Sequence, residues 1–173
     1  MTPDGQQTCI NIPVSGIPNG LNYDLGLTGV TLSLTNPDLS DVEISLISPS
    51  GNTYILIDNN DISGTILSNV TISSLGTPID DAFPPYSGNY RPDTYGLKWC
   101  DINDNINVGD GVWQVCIDIP SWGDPGNLLL VELDFGYGGE SNYVQQVAVN
   151  DVNDLNIPLI CCLLYTSQSP RDR

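Results

Sequence analysis

The chain contains 173 residues, a length that suits one domain or one domain with a short extra segment. Its 21 acidic and 4 basic residues give a formal net charge of −17, which excludes the basic surface that nucleic acids and anionic membranes require. Histidine is absent, which excludes Ser-His-Asp and Cys-His catalysis and histidine-containing zinc sites within the chain. An apolar fraction of 40% predicts a folded core, and no apolar run is long enough for membrane insertion.

Short alternating segments separated by turn residues predict an all-β protein. The clear strands, in chain order, are residues 8–14, 30–35, 42–46, 54–57, 111–119 and 128–135, with weaker candidates at 69–73 and 143–149. Ser48-Pro49-Ser50-Gly51 has the order of a tight turn and predicts a β-hairpin over residues 41–58. Residues 77–96 are rich in Pro, Gly and Asp and are predicted to be an irregular excursion. Together these elements predict a β-sandwich with jelly-roll topology.

The last part of the chain differs in composition from the rest. Residues 162–173 resemble the translation of a sequencing adapter found at the ends of metagenomic fragments, and we expect them to be an adapter-derived tail. Residues 139–161 are either a closing strand or the start of a following segment. The predicted organisation is therefore one sandwich over residues 1–138, this ambiguous segment, and the tail.

Five cysteines in an acidic, turn-rich chain favour an oxidising compartment, and so a secreted or cell-surface protein. Cys116 lies on the strand face opposite to that of Trp113 and is predicted to pair with Cys100 across a loop of about 15 residues. Cys9 would then pair with Cys161, if that residue is native, or remain free. No CxxC motif is present, which argues against metal or redox use.

Residues 101–105 begin like a calcium loop, because Asp101, Asn103 and Asp104 offer oxygen ligands at close spacing. Ile106 and Val112 then occupy positions at which an EF-hand requires Gly and Glu, so the segment is not an EF-hand. Two interpretations stay open: an irregular calcium site, or solvated loop acids. The other acids that an irregular site might use are Asp58, Asp61 and Asp110.

Trp113 lies on the apolar face of its predicted strand and is expected to anchor the two sheets of the sandwich. Gly111 before it is expected to permit the turn into that strand. Glu43 and Glu132 fall on polar strand faces with no sign of a raised pKa, so a catalytic carboxylate pair is not predicted. We therefore expect no catalytic residue in this chain.

Four blocks of the sequence, in order, carry a family resemblance. They are the hairpin Asp41–Gly51, the loop Pro85–Pro92, the strand Asp110–Val115 and the closing segment Asp124–Gly136. These blocks resemble the P domain (P/Homo B), which follows the catalytic domain in subtilisin-like proprotein convertases. The same module occurs in secreted bacterial proteases and cell-surface proteins.

The resemblance implies a galactose-binding-like jelly roll that acts as a non-catalytic accessory domain. Such a domain would stabilise or regulate an adjacent subtilisin-like serine endopeptidase, whose catalytic residues lie outside this chain. The resemblance is also compatible with calcium binding. The chain departs from the family pattern at Val131, where Trp is usual, and at Asn36-Pro37-Asp38 before the hairpin. The usual Gly-rich segment after the hairpin is also absent. The resemblance therefore fits a divergent member.

An alternative function is a stand-alone binding or adhesion module of a large bacterial cell-surface protein. Jelly-roll sandwiches often present loops to protein or carbohydrate ligands, although this is an analogy of fold alone. An aromatic-rich stretch is expected either to cover the edge of the sandwich, the role that we favour, or to form a ligand surface for that function. It comprises Tyr86, Tyr90, Tyr95 and Trp99.

Overall fold

The computed structural model describes residues 7–17, 21, 25–59, 61–92, 109–120, 123–124, 126–137 and 140–148. These residues form nine strands and one 3-10 turn, Leu39–Asp41. The strands are β1 (Thr8–Val14), β2 (Leu25–Thr35), β3 (Glu43–Ile47), β4 (Thr53–Ile57), β5 (Ile66–Pro78), β6 (Tyr86–Arg91), β7 (Gly111–Asp118), β8 (Asn127–Tyr137) and β9 (Glu140–Ala148). The prediction of an all-β protein is confirmed.

The strands form two sheets that pack face to face. The four-stranded sheet has the order β1-β7-β3-β4, and the five-stranded sheet has the order β6-β5-β2-β8-β9. All neighbouring pairs are antiparallel except β5 and β6, which run parallel. The chain is therefore a β-sandwich, as expected, while the jelly-roll connections remain a prediction.

Trp113 links the two sheets at the centre of the core. It belongs to β7, is fully buried, and meets Phe135 of β8 edge to face with ring centroids 5.6 Å apart. Its indole Nε1 donates to the carbonyl of Gly109 at 2.9 Å, so the polar atom of this buried side chain is paired. The predicted anchoring role of Trp113 is confirmed. Val131, at the position where the family usually has Trp, is also fully buried.

The β3–β4 hairpin forms as the turn residues predict. The amide of Gly51 donates to the carbonyl of Ser48 at 2.9 Å, which closes the four-residue turn. Gly51 has a φ of +86°, a conformation that glycine adopts without steric cost. The hairpin pairs β3 with β4 over Ile44–Ile47 and Thr53–Ile57.

The excursion predicted over residues 77–96 is wrong where it overlaps β6. Tyr86–Arg91 pairs in parallel with β5, so most of the loop that resembles the family's Pro85–Pro92 block is a strand. Ile72 and Thr77 both face Tyr90 in the register, and the chain between them bulges. A Cβ atom at Gly76 would lie 2.3 Å from the Tyr90 backbone, so this approach requires glycine.

The strand candidate near the end of the chain belongs to the sandwich. β9 pairs antiparallel with β8 from Tyr137↔Glu140 to Leu130↔Ala148. This pairing makes residues 140–148 the outer strand of the five-stranded sheet. Within the part of the chain that the structure covers, no helix has the length and hydrophobicity to cross a bilayer.

Candidate interaction surfaces

The predicted calcium ligands fall outside the region that the structure describes. Asp101, Asn103 and Asp104 all lie between residues 92 and 109, and Cys100 lies there as well. Among the described residues, no group of three or more Asp, Glu or Cys side chains is arranged to hold a metal ion. The calcium site remains a prediction for the 101–104 segment.

The predicted Cys100–Cys116 bridge is wrong, because Cys116 is bonded to Cys9 with an S–S distance of 2.06 Å. β1 lies against β7 in a register that places Cys9 directly opposite Cys116, with their Cα atoms 4.0 Å apart. The pairing of Cys9 with Cys161, or a free Cys9, is excluded for the same reason. Sequence spacing favoured a short loop, whereas the strand pairing joins residues 107 positions apart.

Three other acids that might have bound a metal hold the backbone instead. A carboxylate oxygen of Asp110 accepts the amide proton of Ile17 at 2.6 Å and ties the segment after β1 to the start of β7. Asp58 and Asp61 form a local turn, in which Asp61 accepts from the Asp58 amide at 2.9 Å. Asp110 therefore serves the fold together with Gly111, whose φ of +134° and contact with Pro49 require glycine.

The segment that joins β5 to β6, residues 79–85, is held at both ends. Ile79 is fully buried, and its amide donates to the carbonyl of Arg91 at 3.0 Å. At the other end, the hydroxyl of Tyr86 accepts from the Ser63 amide at 3.2 Å and donates to the Ala82 carbonyl at 3.5 Å. We call residues 79–85 the crossover, since they return the chain along β5 to start a parallel strand.

The crossover presents the most exposed large apolar side chain among the described residues. Phe83 is 85% exposed, and Pro84 and Pro85 beside it are exposed as well. The pairing of Leu67 with Tyr86 aligns Pro85 with Ile66, which is itself 49% exposed. Phe83, Pro84, Pro85 and Ile66 constitute a candidate contact surface on a pinned segment, which we call the crossover surface.

Three acids gather at one end of the four-stranded sheet. Glu43 of β3 lies directly opposite Asp118 of β7, and Asp58 follows the end of β4. Partial burial, followed by the charges of Asp58 and Asp118, raises the pKa of Glu43 above its usual value. Sequence patterns did not reveal this shift, because burial and the approach of carboxylates from two other strand ends arise only in the folded sheet. By contrast, hydrogen bonds from Ser40 lower the pKa of Asp38.

Comparison with protein-family models, with curated proteins and with solved structures finds no match for this chain. The resemblance to the P domain therefore stands on the four sequence blocks alone. In the structure, the described residues of two of those blocks have clear structural tasks: the hairpin turn at residues 48–51, and the Asp110–Trp113 corner that orients the core indole.

Proposed function

We propose that this chain is a non-catalytic accessory module, similar to a P domain, in a secreted or cell-surface protein. It packs against a neighbouring domain of the same parent chain and stabilises that domain. The neighbour that the sequence blocks favour is a subtilisin-like serine endopeptidase, so that proteolysis is the function of the parent protein and not of this chain.

The observation that carries the proposal is the crossover surface. Phe83 is 85% exposed to solvent. Burial of its apolar surface against a partner would contribute about 25 cal/mol per Å² to the free energy of binding. The segment beneath it is fixed to the sandwich by the buried Ile79 and by Tyr86, so little conformational entropy is lost when a partner binds. Exposed apolar groups on a rigid segment are typical of a docking surface.

The test requires the parent gene, whose product is expressed with Phe83→Ser. We expect the neighbouring domain to lose thermal stability or yield, while the sandwich itself is unchanged because Phe83 adds almost nothing to its core. Leu129→Ser is the matched control, since Leu129 is 48% exposed on β8, which β2 separates from the β5–β6 edge that carries the crossover surface. Equal effects of the two variants would refute the role of the crossover surface.

The catalytic half of the proposal has its own test. The isolated chain is expected not to cleave a casein substrate, because its sequence contains no histidine and offers no alternative nucleophile–base pair. A parent gene that encodes tandem β-modules in place of a protease domain would instead support the binding or adhesion function.

Calcium dependence stays part of the proposal. A thermal melt of the isolated chain in calcium, compared with sodium chloride of the same ionic strength, separates a site from general screening of its charge. We expect a calcium-specific rise in melting temperature that Asp101→Asn/Asp104→Asn removes. Equal rises in the two buffers would refute it.

A further inference from the structure

The outer face of the four-stranded sheet carries a continuous apolar line. β7, β3 and β4 are neighbours, and their register pairs Ile47 with Gln114 on one side and with Thr53 on the other. Val112 lies two residues before Gln114 in β7, and Ile55 lies two residues after Thr53 in β4. Both are therefore diagonal neighbours of Ile47 on the same face of the sheet. Val112 is 51% exposed, Ile55 is 41% exposed and Ile47 is partly exposed. We call these three residues the apolar diagonal.

The same face becomes acidic toward one end. Ser45 is the cross-strand partner of Ile55, and Glu43 lies two residues before Ser45 in β3. Asp118 and Asp58 lie beside Glu43. Among the described residues, the charged groups that act on the Glu43 carboxylate, Asp58 and Asp118, are both acids and oppose its charge. The face therefore has an apolar part and a negative part within the span of three strands.

We propose that this face is a docking surface for a protein segment that places apolar side chains on the apolar diagonal and Lys or Arg side chains on Glu43, Asp58 and Asp118. Charge complementarity identifies the occupant. A second copy of this chain is disfavoured, because each copy has a net charge of −17 and would bring acid to acid. A basic partner gains from every one of these carboxylates, and burial of the diagonal supplies the affinity.

This surface is separate from the crossover surface and does not depend on the proposed function. The crossover belongs to the five-stranded sheet, whereas the apolar diagonal lies on the outside of the four-stranded one. The disulfide between Cys9 and Cys116 crosses the same outer face beside Ser45. It fixes β1 to β7, so the relative position of these two strands is preorganised for a partner.

The experiment uses the full chain and a synthetic peptide with valines in its first half and lysines in its second half, at alternating positions with threonines between. Amide chemical shifts are followed by NMR at physiological salt. We expect shifts that centre on Ile47, Ile55, Val112 and Glu43. Peptides in which the lysines are replaced by glutamates, or the valines by serines, are expected to lose this pattern. Absence of binding, or shifts spread over the whole acidic surface, would overturn the proposal.

Variants of the chain provide the second arm. Glu43→Gln is expected to weaken peptide binding by about fivefold, the ratio that one charge contact of ordinary strength produces. The same substitution should raise the melting temperature of the free chain, because it removes a like-charge pair. Glu132→Gln, on the outer face of the other sheet opposite Thr31, is the control and should change binding by less than twofold. A gain in stability without a loss of binding would show that the acids have no docking role.

Discussion

The outer faces of the two sheets both carry polar cross-strand pairs but differ in what accompanies those pairs. On the five-stranded sheet, short polar side chains bond across the strands: the hydroxyl oxygens of Thr31 and Thr71 are 2.8 Å apart, and Ser73 donates to Asn89 at 2.6 Å. On the four-stranded sheet, Gln114 donates to Asn11 at 2.7 Å and a disulfide joins the same two strands, while the exposed Val112 and Ile55 share the face with the acid pair Glu43 and Asp118. Polar groups that are already paired with one another contribute little to the free energy of binding a partner. Exposed apolar area and charges that repel one another contribute more, because contact with a suitable partner buries the first and offsets the second.

The largest effect that distinguishes the two faces is expected from the disulfide. Cys9→Ala/Cys116→Ala should lower the free energy of unfolding by about 4–5 kcal/mol, because the bond closes a loop of 107 residues and constrains the unfolded chain. Urea unfolding under oxidising conditions measures the change. Cys9→Ala and Cys116→Ala, made singly, should each cause nearly the loss of the double variant, because either substitution breaks the bond. A small effect of Cys9→Ala beside a large effect of Cys116→Ala would contradict the Cys9–Cys116 bond.

A second variant compares the two sides of one strand. Trp113→Ala should cost about 3–5 kcal/mol, since it removes the side chain that packs on Phe135 between the sheets. Val112→Ala, at the next residue but on the outer face, should cost less than about 1 kcal/mol. Denaturant midpoints give both values, and a small effect of Trp113→Ala would mean that it is not in the core.

The polar pairing of the five-stranded sheet is tested by Thr31→Val and Thr71→Val. Each single substitution leaves one hydroxyl without its partner and should cost about 1 kcal/mol, while the double substitution should cost less than the sum. A double-mutant cycle measures the coupling energy. Thr53→Val, on an exposed position of the four-stranded sheet, is the control. Additive losses would show that the two hydroxyls do not interact.

The smallest effect is expected from the acid pair Glu43 and Asp118. Since the pKa of Glu43 is raised in the folded state, the folded chain holds this proton more tightly than the unfolded chain does. Stability therefore falls as pH rises from the unfolded value near 4.5 through the raised folded value, and the loss is complete above it. Glu43→Gln should remove this loss at neutral pH, by on the order of 0.5 kcal/mol after solvent screening, with no gain below pH 4. A gain of the same size at all pH values would assign the effect to something other than charge.

Local patterns in the sequence were sufficient for most of the strands. Alternation in residues 8–14 and 111–119 and the turn at residues 48–51 predicted elements whose pattern is visible in neighbouring residues. β6 was missed, because its Ser-Gly-Asn composition has low strand propensity and its stability comes from pairing with β5.

The site residues depend on contacts between distant segments, so sequence predicted them less well. The Cys9–Cys116 bond and the repulsion between Glu43 and Asp118 both require the pairing of strands that are far apart in the chain. Spacing can rank nearby cysteines, but it contains no information on the register of β1 against β7. The exposure of Phe83 was equally hidden, since a phenylalanine between Ala82 and Pro84 fits a core position as well as a surface one.

The separation of Cys9 from its partner also sets the order of events during biosynthesis. At about 5–20 residues per second, Cys116 is made about 5–20 s after Cys9, so the Cys9 thiol must wait in the nascent chain before its partner exists. The edge of β2 that pairs with β8 waits about as long, since its partners lie between Asn127 and Tyr137. A β-sandwich whose strands pair across such long sequence separations is expected to fold slowly, because the non-local contacts form only after long loops have closed. Until the second half of the chain emerges, β1 lacks its partner β7 and β2 has only β5 beside it, so both strands keep an open edge.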